Sequence, residues 1–450
     1  MKEMNRREFL KGMVGIAGAL LTENLVGRNN ALAGVMSKPR KKTEEFNEED
    51  LSDQKIDIND QIIEQEISAK KVEITPEYQR NIEKILLAIP TSQEFSPKFI
   101  HRIYHDLLIK LPLYSNIQIL IKSKQVDNFR KLIKNIQKNF PINLEKRIKM
   151  QIIDDGDNLD LWAQDFGELV KIDGEETFII PADLREDIFL EAAVSRDIRR
   201  KKVISEKLKE QGIKIIQADI YFDGGNVTFD RTEKGMRLFV GYADVYYSRH
   251  NKATDEEKIS PQGFAKKMSR IFGGAEVVVM GNRELIGDCF HIDQAFIILD
   301  NKKVVINQCE QRCMDANADV DISEQLKYYK AQLEALGYET IVINNTPEQI
   351  RNSFSSTNAI PFVDKISGVK KILVPVFPDE IKSESVKKKE IGLNDLQGKG
   401  IGAYMAYIKA GYEPIFVRDH SYIDKGNIHC ISNVFAKKEN SDSTQLDGVA

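Results

Sequence analysis

Four side chains able to do polar covalent chemistry come from three distant segments of this chain: Asp165, His291 with Asp293, and Cys430. Cys430 follows a Gly-containing turn and precedes an apolar run, with His429 before it and Ser432 and Asn433 after it. A thiol mounted this way is held rigidly yet can be reached, as a nucleophile must be. A lone cysteine in such a place is more often a small buried hydrophobe. Three upstream segments change that balance: Trp162-Ala-Gln-Asp165, Phe222-Asp-Gly-Gly-Asn226 and Phe290-His-Ile-Asp293. Two carboxylates, an imidazole and a thiol around one cavity suit a planar cation, because a guanidinium presents five N–H donors in a fixed fork and a carboxylate accepts two of them at once. Asp165 and Asp293 are then the expected clamps, with the guanidinium carbon over Cys430. Nearby carboxylates raise a thiol's pKa, whereas a bound cation and a protonated imidazole favour thiolate, so the nucleophile is expected to become competent with substrate in place. Attack at that carbon, with His291 as general acid and then general base, releases ammonia and leaves a ureido product. Neither a redox cofactor nor a catalytic metal is required.

Taken singly, each residue has a plainer role. Asp165 serves as a turn acid, His291 as a satisfied core histidine, and Asp223-Gly-Gly-Asn226 as a turn. Asn358 and Asn433 read as loop-holding residues that bond to backbone. What lifts the set is its spacing. Amphipathic helices are expected over 127–138, after Ser195 to Gly212, from Ser260 to Gly273, over 322–336, and in a weaker pattern ending at Gly411. Short apolar strands follow at 150, 213, 276, 339 and 414, and after each comes a polar segment holding Asp165, Asp223, His291, Asn358 or Cys430. The intervals are 58, 68, 67 and 72 residues, a near-constant period that indicates an internal structural repeat. Five such units cannot each bury a face alone. Closure about a common axis brings equivalent strand ends together, and with them residues 265 positions apart. An open α/β sheet, whose strand ends also carry ligands, is the alternative. Trp162, Asp223, Gly225, Asn226 and Asn358 are the expected substrate-binding residues.

The 450 residues are 42% hydrophobic and 30% charged with a net charge of −4, as expected of a soluble globular chain with no polyanionic partner and no nucleic acid to bind. Residues 1–33 carry paired arginines (Arg6, Arg7), the apolar stretch 13–21 and Ala31-Leu-Ala33. This pattern predicts a twin-arginine export signal and a periplasmic or otherwise extracytoplasmic protein. Nine apolar residues do not span a bilayer, which takes about 20, so no integral membrane protein is expected. Residues 34–75 are too charged to bury a core and read as a flexible leader, 76–437 as a single catalytic domain, and 438–450 as a polar tail. Cys309 and Cys313 could pair or form half of a metal site, but no second pair with ligand spacing accompanies them. Cys289 is the reserve candidate for the nucleophile.

With these residues assembled, the chain resembles the guanidine-modifying (pentein) superfamily, which implies a five-bladed pseudo-symmetric α/β propeller. WAQDFGE from Trp162 and HCISNV from His429 are similar to motifs of protein-arginine deiminases, while FDGGN and GNIHC are also close to agmatine deiminase motifs. The resemblance covers about residues 80 to 437. It implies that Cys430 is the nucleophile, His291 the general acid/base, and Asp165 and Asp293 the clamps. The expected reaction is hydrolysis of peptidyl arginine to citrulline, the substrate partner being an arginine-containing peptide or protein. Agmatine, free arginine and transfer of the amidino group to an amine are the alternatives. Animal protein-arginine deiminases bind calcium, and Gln164 and Glu168 match two ligand positions. Phe166 and Thr228 stand where acidic ligands are expected, so calcium is not expected to be required.

Overall fold

A computed structural model describes residues 71–90, 97–153, 162–184, 191–251, 259–282, 291–314, 321–385, 391–421 and 427–435. The expected export signal, nearly all of the leader, the polar tail and Cys289 lie outside the described residues.

The helices arise where the apolar period predicts them. Helix Val126–Asn139 buries Val126, Phe129, Leu132, Ile133 and Ile136, a stripe three to four residues apart that covers one sheet. Helix Pro261–Ile271 starts where Ser260 accepts a hydrogen bond from the Gly263 amide at 3.0 Å, and Pro261 occupies its first turn. Helix Lys399–Ala410 stops at Gly411, whose φ of 94° is left-handed. One start was misplaced: the helix expected after Ser195 begins earlier and spans Glu191–Lys209.

Each of these helices leads into a strand that lies parallel to its neighbour, and the described residues form five small sheets. The first sheet pairs Glu168–Ile172 with Glu175–Ile180 antiparallel, and after the helix adds Lys214–Gln217 parallel to the second. Its outer edge takes the short strand Val72–Glu73. The same plan recurs in Val227–Thr232, Gly235–Gly241 and Glu276–Met280. It recurs again in Phe296–Leu299, Lys303–Cys309 and Glu339–Asn345, and in Ile360–Val363, Lys370–Val376 and Glu413–Arg418. The fifth sheet is assembled from both ends of the sequence: Ser432–Phe435 runs antiparallel to Lys84–Ala88, followed by parallel Asn116–Lys122 and Ile148–Ile153. The periodicity therefore captured the last strand of each unit and, in four of the five sheets, missed the hairpin in front of it. A visible signal was the turn Asp173-Gly174, whose positive φ angles of 53° and 86° close the hairpin of the first sheet.

Cys309 and Cys313 are buried free thiols, not a disulfide, and Cys313 Sγ donates to the Pro347 carbonyl at 3.5 Å. Among the described residues no helix is long and apolar enough to cross a membrane.

Candidate active site

Every residue singled out by spacing lies between the last strand of one unit and the first strand of the next. Asp165 is on the single turn Gln164–Phe166. Asp223 immediately precedes the turn Gly224–Asn226. His291 is the N-cap of Ile292–Ala295, which contains Asp293. Asn358 leads into Ile360–Val363, and Cys430 lies in the turn before Ser432–Phe435.

These turns bring the polar atoms to one place. A Cβ on Gly225 would sit 2.8 Å from Asp165 Oδ1, 2.8 Å from His291 Nδ1 and 3.3 Å from Asp293 Oδ2. Only a glycine leaves that space open. Cys430 Sγ lies 3.3 Å from Asp293 Oδ2, so thiol, imidazole and both carboxylates share a single small region. His291 Nε2 is 3.2 Å from Asp223 Oδ2, and Nδ1 is 3.7 Å from Asp165 Oδ1. Asp223 is thus a partner of the imidazole. Behind it, the Asp223 amide donates to Asp244 Oδ2 at 3.3 Å. Burial, reinforced by the Asp223 charge, raises the Asp244 carboxyl well above the usual range.

Cys430 is wholly buried, and its sulfur lies between two amide donors and the Asp293 carboxylate, to which the thiol donates. Asn358 Nδ2 donates to Sγ at 3.1 Å, and Gln294 Nε2 lies 4.0 Å away. Asn358 Oδ1 accepts from the amides of His429 and Cys430 at 3.0 and 3.2 Å, clamping the turn that carries the thiol. Gln294 is fixed through its own carbonyl, which accepts from Asn307 Nδ2, Ser355 Oγ and Thr357 Oγ1 at 2.7, 2.6 and 2.9 Å. Asn427 ties the same turn to Ser355 and Asp419. Burial raises the Asp419 carboxyl to about 6 although Ser421 and Asn427 donate to it.

Three expected substrate contacts are placed differently. Asn358 faces the nucleophile. Asn226 is occupied with backbone, its Oδ1 accepting from the Ile292 amide at 3.1 Å and its Nδ2 donating to the Gly241 carbonyl at 3.4 Å. Trp162 is 1% exposed and packs in the core cluster that also contains Ile428 and Cys430. Asn433, read as a loop holder, donates to the carbonyls of Ala163 and Gly167.

Two residues had not been assigned. His429 Nδ1 lies 3.0 Å from Asp293 Oδ2, and Nε2 lies 2.9 Å from Glu77 Oε1. Burial works against charge on this ring, but the Glu77 charge and hydrogen bonds to Asp293 and Glu77 outweigh it and hold the pKa up to about 10. Glu77 is itself held low, since His429 and Arg80 overcome the effect of its burial. Adjacency to Cys430 and a place in the HCISNV and GNIHC segments were the signals for His429, and none marked Glu77.

The candidate calcium ligands Gln164 and Glu168 bond to each other. Gln164 donates its amide to Glu168 Oε1 at 3.2 Å, and burial pushes the Glu168 carboxyl up to about 8 even with Arg80 and His429 nearby. Together the two side chains supply at most three of the six to eight oxygens that calcium takes. Among the described residues, Asp165, Asp223 and His291 do place one ligand atom each within 4.8 Å of one another. That donor set suits a small cation, whether a metal ion or an organic one.

No protein-family model matches the sequence, and no curated protein matches it. Solved structures do. The agmatine deiminase of C. jejuni superposes with a TM-score of 0.56 at 16% identity, covering 82% of this chain and 97% of that one. A candidate arginine deiminase from Porphyromonas gingivalis gives 0.57 at 13% identity, covering 82% and 99%. A candidate peptidyl-arginine deiminase gives 0.56 at 15% identity, covering 81% and 99%. The chain therefore has the α/β fold of these solved deiminase structures.

Proposed function

From a chain that shares its fold with agmatine and arginine deiminases, we propose a thiol-dependent hydrolase that deiminates guanidinium groups, with peptidyl arginine as substrate and citrulline and ammonia as products. We also propose that the five units stand as blades around a common axis, an arrangement supported by the pairing of the first and last long strands. The observation that carries the function is the convergence at Gly225 of Asp165 Oδ1, His291 Nδ1 and Asp293 Oδ2, with Cys430 Sγ 3.3 Å from the last.

The guanidinium enters with its N–H groups directed at Asp165 and Asp293. Asp293 Oδ1 has no hydrogen-bond partner among the described residues and is the oxygen left to receive one. The positive head then lowers the cost of ionising Cys430, whose proton leaves to water. Asn358 Nδ2, 3.1 Å from the sulfur, supports the thiolate. The thiolate forms a C–S bond to the guanidinium carbon. His291 gives its proton to the departing nitrogen, the C–N bond breaks and ammonia leaves. Neutral His291 then takes a proton from water and hydroxide adds to the same carbon; the C–S bond breaks to release the thiolate, and the hydroxyl proton passes through water to the released ammonia, leaving the ureido product. The sum is guanidinium plus water giving ureide plus ammonium, with nothing oxidised or reduced.

The choice of peptidyl arginine is supported by the WAQD and HCISNV segments. Agmatine is the second reading, favoured by the match to an agmatine deiminase over 97% of its length. Ammonia release measured side by side with an arginyl peptide, free arginine and agmatine tests both. Turnover of the peptide, absent in Cys430→Ala, is expected. A strong preference for agmatine overturns the substrate, and activity retained in Cys430→Ala overturns the mechanism.

A further inference from the structure

Glu77 has no step in the reaction above, yet the fold delivers it to the site. It lies on the turn Glu77–Gln79, within a strap secured on both sides. Before the turn, Val72–Glu73 pairs with Glu168–Ile172 of the first sheet. At the turn, the Tyr78 hydroxyl donates to Asp230 Oδ1 at 2.7 Å in the second sheet. After it, the Arg80 carbonyl accepts from the Val363 amide at 2.9 Å in the fourth, and Arg80 Nη1 donates to the Val434 carbonyl at 3.4 Å in the fifth. A turn held by four sheets has little freedom, so Glu77 Oε1 stands fixed 2.9 Å from His429 Nε2.

The other ring nitrogen is 3.0 Å from Asp293 Oδ2. A neutral imidazole offers one donor and one acceptor, whereas an ionised carboxylate only accepts. With an acidic oxygen at hydrogen-bond distance on each side, the ring satisfies both only when both nitrogens carry hydrogen. We propose that Glu77 and His429 are a positioning pair for the Cys430 chemistry: Glu77 keeps the ring an imidazolium, and the ring fixes the Asp293 carboxylate against the thiol. His429 touches Asp293 and not the reacting atoms, so it acts through Asp293. The charged groups around the ring come from three elements: Glu77 and Arg80 from the strap, Asp293 from Ile292–Ala295, and Glu168 from Glu168–Ile172. Their balance favours the cation against the burial of the ring.

The inference rests on the deiminase reading for its effect on turnover but not for the state of the ring. Glu77→Gln keeps a hydrogen-bonding group beside His429 and removes the charge. In the full-length protein, the His429 Cε1–H signal, assigned by its loss in His429→Asn, is expected to keep its imidazolium shift to about pH 9 in the wild type. In Glu77→Gln it is expected to titrate at least one pH unit lower. The pH profile of ammonia release is expected to lose its alkaline side by a similar interval in that variant, with a smaller loss near pH 6 than near pH 9. A wild-type ring that titrates like an ordinary histidine near pH 6.5 overturns the pair. So does a Glu77→Gln profile that is unchanged, or lowered equally at every pH. If the wild type turns over no guanidine, the reaction assigned to the site falls while the ring titration still decides the pair.

Discussion

The side chain nearest the chemistry that does no bond-making itself is Asn358. It donates to Cys430 Sγ and holds the two amides of the turn beneath it. Asn358→Ala removes a preorganised donor to developing negative charge, a loss of about 10²- to 10³-fold in kcat. Steady-state kinetics on circular-dichroism-verified folded protein check this, and a loss confined to KM would contradict it. Gly225→Ala places a methyl within 2.8 Å of Asp165 Oδ1 and His291 Nδ1, both side-chain atoms with some room to turn. Turnover is expected to fall at least about 10²-fold through misplacement of the clamp, with the melting temperature within a few degrees of wild type. At this scale residue type and period together marked Asp165, His291 and Cys430, and the fold brings their side chains to one region. The sequence was silent where a partner is remote: Glu77 stands 352 positions from His429, and no local pattern marks it.

Elements were legible where they carry their own punctuation. Ser260 and Pro261 announce a helix, and apolar spacing announces Val126–Asn139. The strand Phe296–Leu299 escaped notice because it is four residues long and buried on both faces, so it shows no alternation. Ser260→Ala is expected to cost about 1 kcal/mol through loss of the cap, lowering the melting temperature while leaving activity per folded molecule unchanged. Gly224 provides the contrast to its neighbour. A Cβ there meets the Gln164 carbonyl oxygen at 2.0 Å, and backbone cannot swing aside. Gly224→Ala is therefore expected to displace the turn that carries Asp165 and to lower both the melting temperature and soluble yield, outcomes that Gly225→Ala avoids.

Across the whole molecule, the period predicted five units but did not reveal that one of them is divided between the two ends, joined as Ser432–Phe435 against Lys84–Ala88. The pairing is non-local, and spacing along the chain cannot report it. The buried acids and His429 also act together on stability. His429 is raised to about 10, Glu168 to about 8 and Asp419 to about 6, so each binds its proton more tightly in the folded state than in the unfolded chain. The contribution of each is full below its unfolded pKa and is lost as pH rises through the folded value. The melting temperature is accordingly expected to fall between pH 7 and pH 10 by calorimetry, with His429 and Glu168 responsible for most of the change. A rise over that interval would contradict the assignment. The most direct test of the central claim is acid quenching during turnover of an arginyl peptide, followed by peptide mapping by mass spectrometry. The account predicts an amidino adduct on the Cys430 peptide, absent from Cys430→Ala, which releases no ammonia. Ammonia release that continues in Cys430→Ala, or an adduct on another cysteine, would contradict it.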